Sequence, residues 1–250
     1  MKEKTWNNFV LLRDKFRFFT EKILKEIPEL NDLQQKLVSL RGSGVYRIDT
    51  PVVYNTALDR ISITDEIKLI LVADNPGRRE QAAENRCYLT GPSGKIAAGF
   101  FKKNPELGID YNKNILILNK SPIHTPRTLM LKQLCDLGGE EVKKVFIRSQ
   151  RDMVSLIFDF HQCFFTENPL PVWVIGYSEM HSRGLFGVFT EALRNAYKNQ
   201  MEMYEYLYLF QHFSMNRFTI DFNKQCFKGE SCINTLKRTG ISYRNRILDF

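Results

Sequence analysis

LILVADNPGRRE, residues 69–80, is an apolar run that stops at a carboxylate, an amide, a proline and a glycine in succession. The run is continuously apolar rather than alternating, as in a strand covered by helices on both faces. Asp, Asn, Pro and Gly are turn residues, so by itself the abrupt stop needs no more than a turn. The residues at the ends of the other strands decide whether it means more.

Outward from this stretch, extended into 67–73, three further apolar runs read as strands: 114–118, 171–177 and 204–210. Helical spacing fills the gaps at 95–103, 129–160 (two or three helices) and 184–198. Residues 6–40 are helical too, with Phe9, Leu12, Phe16, Phe19 and Ile23 three or four apart and Pro28 as a break. RGSG at 41–44 reads as a loop, and the chain from 223 is basic and poorly patterned. Strands alternating with helices predict an α/β fold, a three-layer αβα sandwich around a mainly parallel central four-stranded sheet. With no internal repeat or linker, 1–250 is expected to be a single domain, its segment 1–45 packed on or beside the core.

Composition narrows the classes. Hydrophobic residues at 43% exclude a disordered chain. A net charge of +8 favours a polyanionic partner, although 28 acidic residues dilute the signal. The five cysteines, with no CxxC, argue for reduced thiols in the cytosol or nucleoid or another intracellular setting. No apolar segment is long enough for a signal peptide or a membrane span, so no membrane partner is expected.

Familiar ligand motifs fail on inspection. GPSGK at 91–95 has Leu89 where a phosphate loop needs glycine and Ile96 where it needs a hydroxyl. A turn into a helix N-terminus at Ser93 and Lys95 can still meet a phosphate. The four histidines show no metal-ligand spacing, so neither a metal nor any other cofactor is expected. GYSEM at 176–180 is half of a nucleophile elbow.

Open parallel sheets place their chemistry beyond the carboxyl ends of the strands. There the chain carries Asp74-Asn75-Pro76-Gly77, then Asn119 leading into NKSPIHTP, then Gly176-Tyr177-Ser178, then Gln211-His212 leading into HFSMNR. Asn119 alone can close a turn, Tyr88 can be core, and His212 can be a satisfied histidine. The joint pattern carries more.

In order and spacing these motifs, over residues 50–220, resemble the uracil-DNA glycosylase superfamily, in particular its members with an Asn-Pro-Gly first motif, the single-strand-selective and mismatch-specific types. TPVVYNTALDR at 50–60 is similar to the single-strand-selective type. The resemblance implies that Tyr88, thirteen residues beyond Asn75, stacks on an extruded base. It also implies that Asn119 in Asn-x-x-Pro reads the base, and that HFSMNR stands for a His-Pro-Ser motif with Phe213 in place of proline. Two further departures are Ala73 in place of a usual glycine and the added carboxylate of Asp74. The cysteine set that holds an iron–sulfur cluster in some relatives is missing.

The chemistry so implied is hydrolysis of the N-glycosidic bond of uracil, or a related damaged base, in base-excision repair of DNA. Asn75 or Asp74 would handle the water, and His212 would donate to the departing base. The Asn119 amide would pair with uracil and reject cytosine. Pro76 and Gly77 would shape the pocket, Gly77 leaving room for 5-substituted uracils such as hydroxymethyluracil. Met215 or Arg217 would wedge the gap, beside Ser214 on the DNA. The alternatives are a catalytically weak or inactive nucleic-acid-binding member and a small-molecule hydrolase. A glycosylase of this design requires Tyr88, Asn119 and His212 to line one slot.

Overall fold

The four apolar runs form one sheet. In the computed structural model, which describes residues 1–40 and 46–248, β1 (Leu69–Ala73), β2 (Ile115–Asn119), β3 (Val172–Ile175) and β4 (Leu207–Phe210) are all parallel, in the order β2-β1-β3-β4. The expected loop at 41–44 lies outside the described residues.

The helices are α1 (Glu3–Glu26), α2 (Leu30–Leu40), α3 (Pro92–Lys103), α4 (Met130–Phe165), α5 (Gly187–Tyr197), α6 (Met201–Tyr204), α7 (Arg217–Gln225) and α8 (Cys232–Leu248). Side chains alternate across a strand, and here they feed two cores. Ile70, Val72, Val172, Val174, Leu207 and Leu209 pack with α1, α2, α4 and α5. Leu69, Leu71, Ala73, Trp173, Ile175, Tyr208 and Phe210 pack with α3, α7 and α8. Both faces of the sheet are therefore covered, which is why its strands read as unbroken apolar runs.

Two expectations are corrected in detail and one is borne out. The segment expected as strand from 204 begins as the end of α6, and only Leu207–Phe210 pairs. The 129–160 stretch holds two helices, within the range expected, which meet at a kink at Gly139, where φ is 70°. The poorly patterned end is α8, packed along β4. Gly240 permits that approach, since a Cβ there would meet the Tyr208 Cβ at 2.7 Å. Lys237, Arg238, Arg244 and Arg246, interleaved along α8, hide its short apolar stripe.

The chain leaves β1 toward β2 on one side and returns to β3 on the other. Connections that depart in opposite directions open a crevice at the carboxyl ends of β1 and β3.

Candidate active site

A cleft of roughly 690 Å³ occupies that crevice. Asp74, Asn75 and Gly77 line it from the end of β1, Thr125–Leu129 from the loop after β2, and Gly176 and Glu179 from the end of β3. His212, Ser214, Met215 and Arg217 line it from the loop after β4, and Ser93 from the start of α3. Arg78, Arg79, Arg127 and Arg217 are exposed on its walls. Among the described residues none of these four joins an ion pair, and Arg78 lies over the Tyr46 ring.

A buried ion pair forms the floor. Lys120, wholly inaccessible, donates Nζ to Asp74 Oδ1 at 2.5 Å, to the Ile175 carbonyl at 2.6 Å and to the Gly176 carbonyl at 3.4 Å. Burial pulls the Lys120 ammonium below its ordinary value, while Asp74 works the other way. The Asp74 side chain keeps 14% of its surface exposed, and Thr128 donates to its Oδ2 at 3.4 Å. Gly176 has φ 83°, and a Cβ there would come within 2.6 Å of Asp74 Oδ1. Only glycine suits this position.

The Asn-Pro-Gly turn is held from behind. Asn75 Nδ2 donates to the Ile123 carbonyl at 3.1 Å and to Thr125 Oγ1 at 2.9 Å. A carbonyl only accepts, so the amide orientation is fixed and Oδ1 is the free acceptor. Pro76 is buried, its carbonyl accepting from His124 Nδ1 at 2.9 Å. The proton is thus on Nδ1, and His124 Nε2 accepts from the Tyr46 hydroxyl at 2.8 Å. Burial drops His124 to about 4, so it stays neutral. Glu80 closes the turn, Oε2 accepting the Gly77 N–H at 2.9 Å. Burial lifts Glu80 to about 7, against the opposing pull of the Gly77, Leu89 and Thr90 backbone amides.

His212 is half-buried at the cleft, and its Nδ1 accepts the Ser214 N–H at 2.9 Å. The neutral ring therefore carries its proton on Nε2. Burial lowers its basicity, Asp74 raises it and Lys120 lowers it again. Phe213 stands where the resemblance implies a proline. It is fully buried and stacks on Phe218 at 4.2 Å, anchoring the turn that exposes Met215.

Two expected residues are elsewhere. Tyr88 packs in the core on the α1 side, its hydroxyl donating to the Val53 carbonyl at 2.5 Å. Leu89, with a left-handed φ of 51°, lines the cleft from the opposite core instead. Arg86, at φ 42°, is left-handed as well, and between the two Tyr88 does not line the cleft. Asn119 is buried at the end of β2 and does not line the cleft; its Nδ2 has no hydrogen-bond partner among the described residues. Tyr88, Asn119 and His212 therefore do not share one slot. Lys95 is exposed in the first turn of α3, off the cleft wall.

Sequence reasoning named Arg217 and missed Lys120, Glu80, Arg78, Arg79 and Arg127. The arginines carried a signal, since each stands within a few residues of a strand end on a basic chain. Lys120 carried none, since between Asn119 and Ser121 it reads as one more polar residue past the end of an apolar run. Among the described residues no group of three His, Cys, Asp or Glu side chains is placed to hold a metal, and no helix is long and apolar enough to cross a membrane. Comparisons with protein-family models, curated proteins and solved structures returned no match.

Proposed function

We propose that the cleft binds DNA and receives a single extruded nucleobase, without the Tyr88–Asn119–His212 slot of the design that the resemblance implies, and that the chain hydrolyses its N-glycosidic bond with water through Asn75, Asp74 and His212. The observation that carries this is the cleft itself. It joins the ends of β1, β3 and β4 and the loop after β2, and unpaired arginines line its walls. A basic-walled cavity of this size suits one base with its flanking phosphates.

The surviving residues fit the steps. Asn75 offers Oδ1 to a water, beside Asp74. His212, neutral with its proton on Nε2, is a donor for the negative charge that develops on the leaving base. Leu89 supplies the apolar wall that Tyr88 was expected to give. The choice of uracil or a related lesion rests on the Asn-Pro-Gly and His-motif resemblance, because the base-reading role assigned to Asn119 lacks a place on the wall.

One observation favours a second reading, nucleic-acid binding without cleavage. Lys120 already neutralises the Asp74 carboxylate, which weakens it as a base. The test uses single- and double-stranded oligonucleotides carrying uracil, hypoxanthine, xanthine or hydroxymethyluracil, then alkali. Strand cuts that vanish in Asn75→Ala and His212→Ala support hydrolysis. Salt-sensitive binding without cuts supports the second reading, and no DNA binding at all removes both.

A further inference from the structure

Leu129 is an exposed leucine where the fold offers no reason for one. It occupies the N-cap of α4, a position that prefers a side chain able to accept from the free N–H groups, and it makes no capping bond. It is 63% exposed and lies on the cleft wall. Its loop is braced: Asn75 Nδ2 donates to Thr125 Oγ1 at 2.9 Å, the Thr128 hydroxyl donates to Asp74 Oδ2, and the Met130 N–H donates to the Arg127 carbonyl at 2.9 Å. Leu129 is thus held out toward solvent by the same residues that build the floor.

Met215 is its counterpart. It is 72% exposed on the same cleft, at φ 51°, and Asn216 beside it has φ 56°. Two successive left-handed residues other than glycine are strained, and such strain persists where the surroundings enforce it. Buried Phe213 and the Phe218 N–H bond to the His212 carbonyl, at 3.0 Å, enforce it here. Because β2 and β4 are the two edges of the sheet, their loops flank the cleft from opposite sides. Arg127 and Arg217, two residues from Leu129 and Met215 respectively, supply a cation beside each apolar tip.

We propose that Leu129 is a second wedge, inserted into the base stack on the side of the extruded nucleotide opposite Met215. The inference rests on the base-extrusion reading and adds to it that both neighbouring bases are displaced, each by its own side chain. Apolar side chains of this kind can enter and hold open a base step. A nucleic acid with an unpaired or mismatched base is the matching ligand, since it is the least costly to open.

The test is fluorescence of 2-aminopurine placed 5′ or 3′ of a non-hydrolysable 2′-fluoro-deoxyuridine opposite guanine. The full chain should raise the signal of both reporters. Leu129→Ala should abolish the rise at one neighbour and spare the other, and Met215→Ala should do the reverse. Leu129→Met, which keeps an apolar tip, should restore the lost signal. Leu129→Ala with both reporters unchanged, in a chain that still binds the DNA, overturns the second wedge alone. No rise from either reporter with the unaltered chain removes base extrusion, and the second wedge with it.

Discussion

Replacing Glu80 by glutamine should change how stability depends on pH. Its carboxyl is buried between the Asn-Pro-Gly turn and the entry to α3, and burial moves it from an ordinary 4.5 to about 7. Below 4.5 the group is protonated in the folded and the unfolded chain, and its contribution is whole. Between 4.5 and about 7 the unfolded chain releases the proton while the folded chain keeps it, so stability falls as pH rises. At 1.36 kcal/mol per pH unit the full interval is about 3 kcal/mol, and some 2–3 kcal/mol of it falls between about pH 5 and pH 8. Histidines oppose this trend. His124 and His161 are held near 4 by burial and His212 is lowered, so each adds stability as pH rises toward the ordinary 6.5 and levels off above it. The wild-type profile is the sum of both effects, and only the difference from Glu80→Gln isolates the carboxyl. Urea unfolding of both proteins across that range measures it. The gap between them should change by about 2–3 kcal/mol in favour of the variant as pH rises. Parallel profiles would refute the buried, proton-holding carboxyl.

Other substitutions probe the floor and the walls. Lys120→Met strands the Asp74 carboxylate and should cost about 3–5 kcal/mol in urea unfolding, with part recovered by adding Asp74→Asn. Tyr88→Phe leaves the buried Val53 carbonyl without its donor and should cost about 1–3 kcal/mol, yet leave the affinity for uracil-containing DNA unchanged. A selective loss of that affinity in Tyr88→Leu, which removes the ring, would return Tyr88 to the base. Gly77 lines the cleft and a Cβ there meets nothing within 4 Å, so Gly77→Tyr should fold. It should lower the preference for hydroxymethyluracil over uracil by about tenfold or more, and an unchanged ratio of cleavage rates would deny that Gly77 borders the 5-position.

The sheet was legible because burial on both faces writes strands as unbroken apolar runs, and nothing in LILVA competes with that reading. By the same logic α8 was not legible. One face of α8 packs on β4 at Gly240, and the rest is charged, so its periodicity drowns. Asp74, Asn75, Gly77 and His212 line one cleft because topology alone sends strand ends there. Topology fixes where a residue sits and leaves open where its side chain points. That direction depends on local backbone dihedrals: in the turn where Arg86 and Leu89 stand at φ 42° and 51°, Leu89 lines the cleft and Tyr88 does not. It depends also on pairings between strands distant in sequence. Lys120 is tolerable inside only because β1 ends in Asp74 and β3 ends in two free carbonyls. Composition records neither. A buried lysine beside a strand-end carboxylate therefore marks the floor of a site, and the side chains left exposed around it, Leu129 and Met215 foremost, are the ones free to meet a ligand.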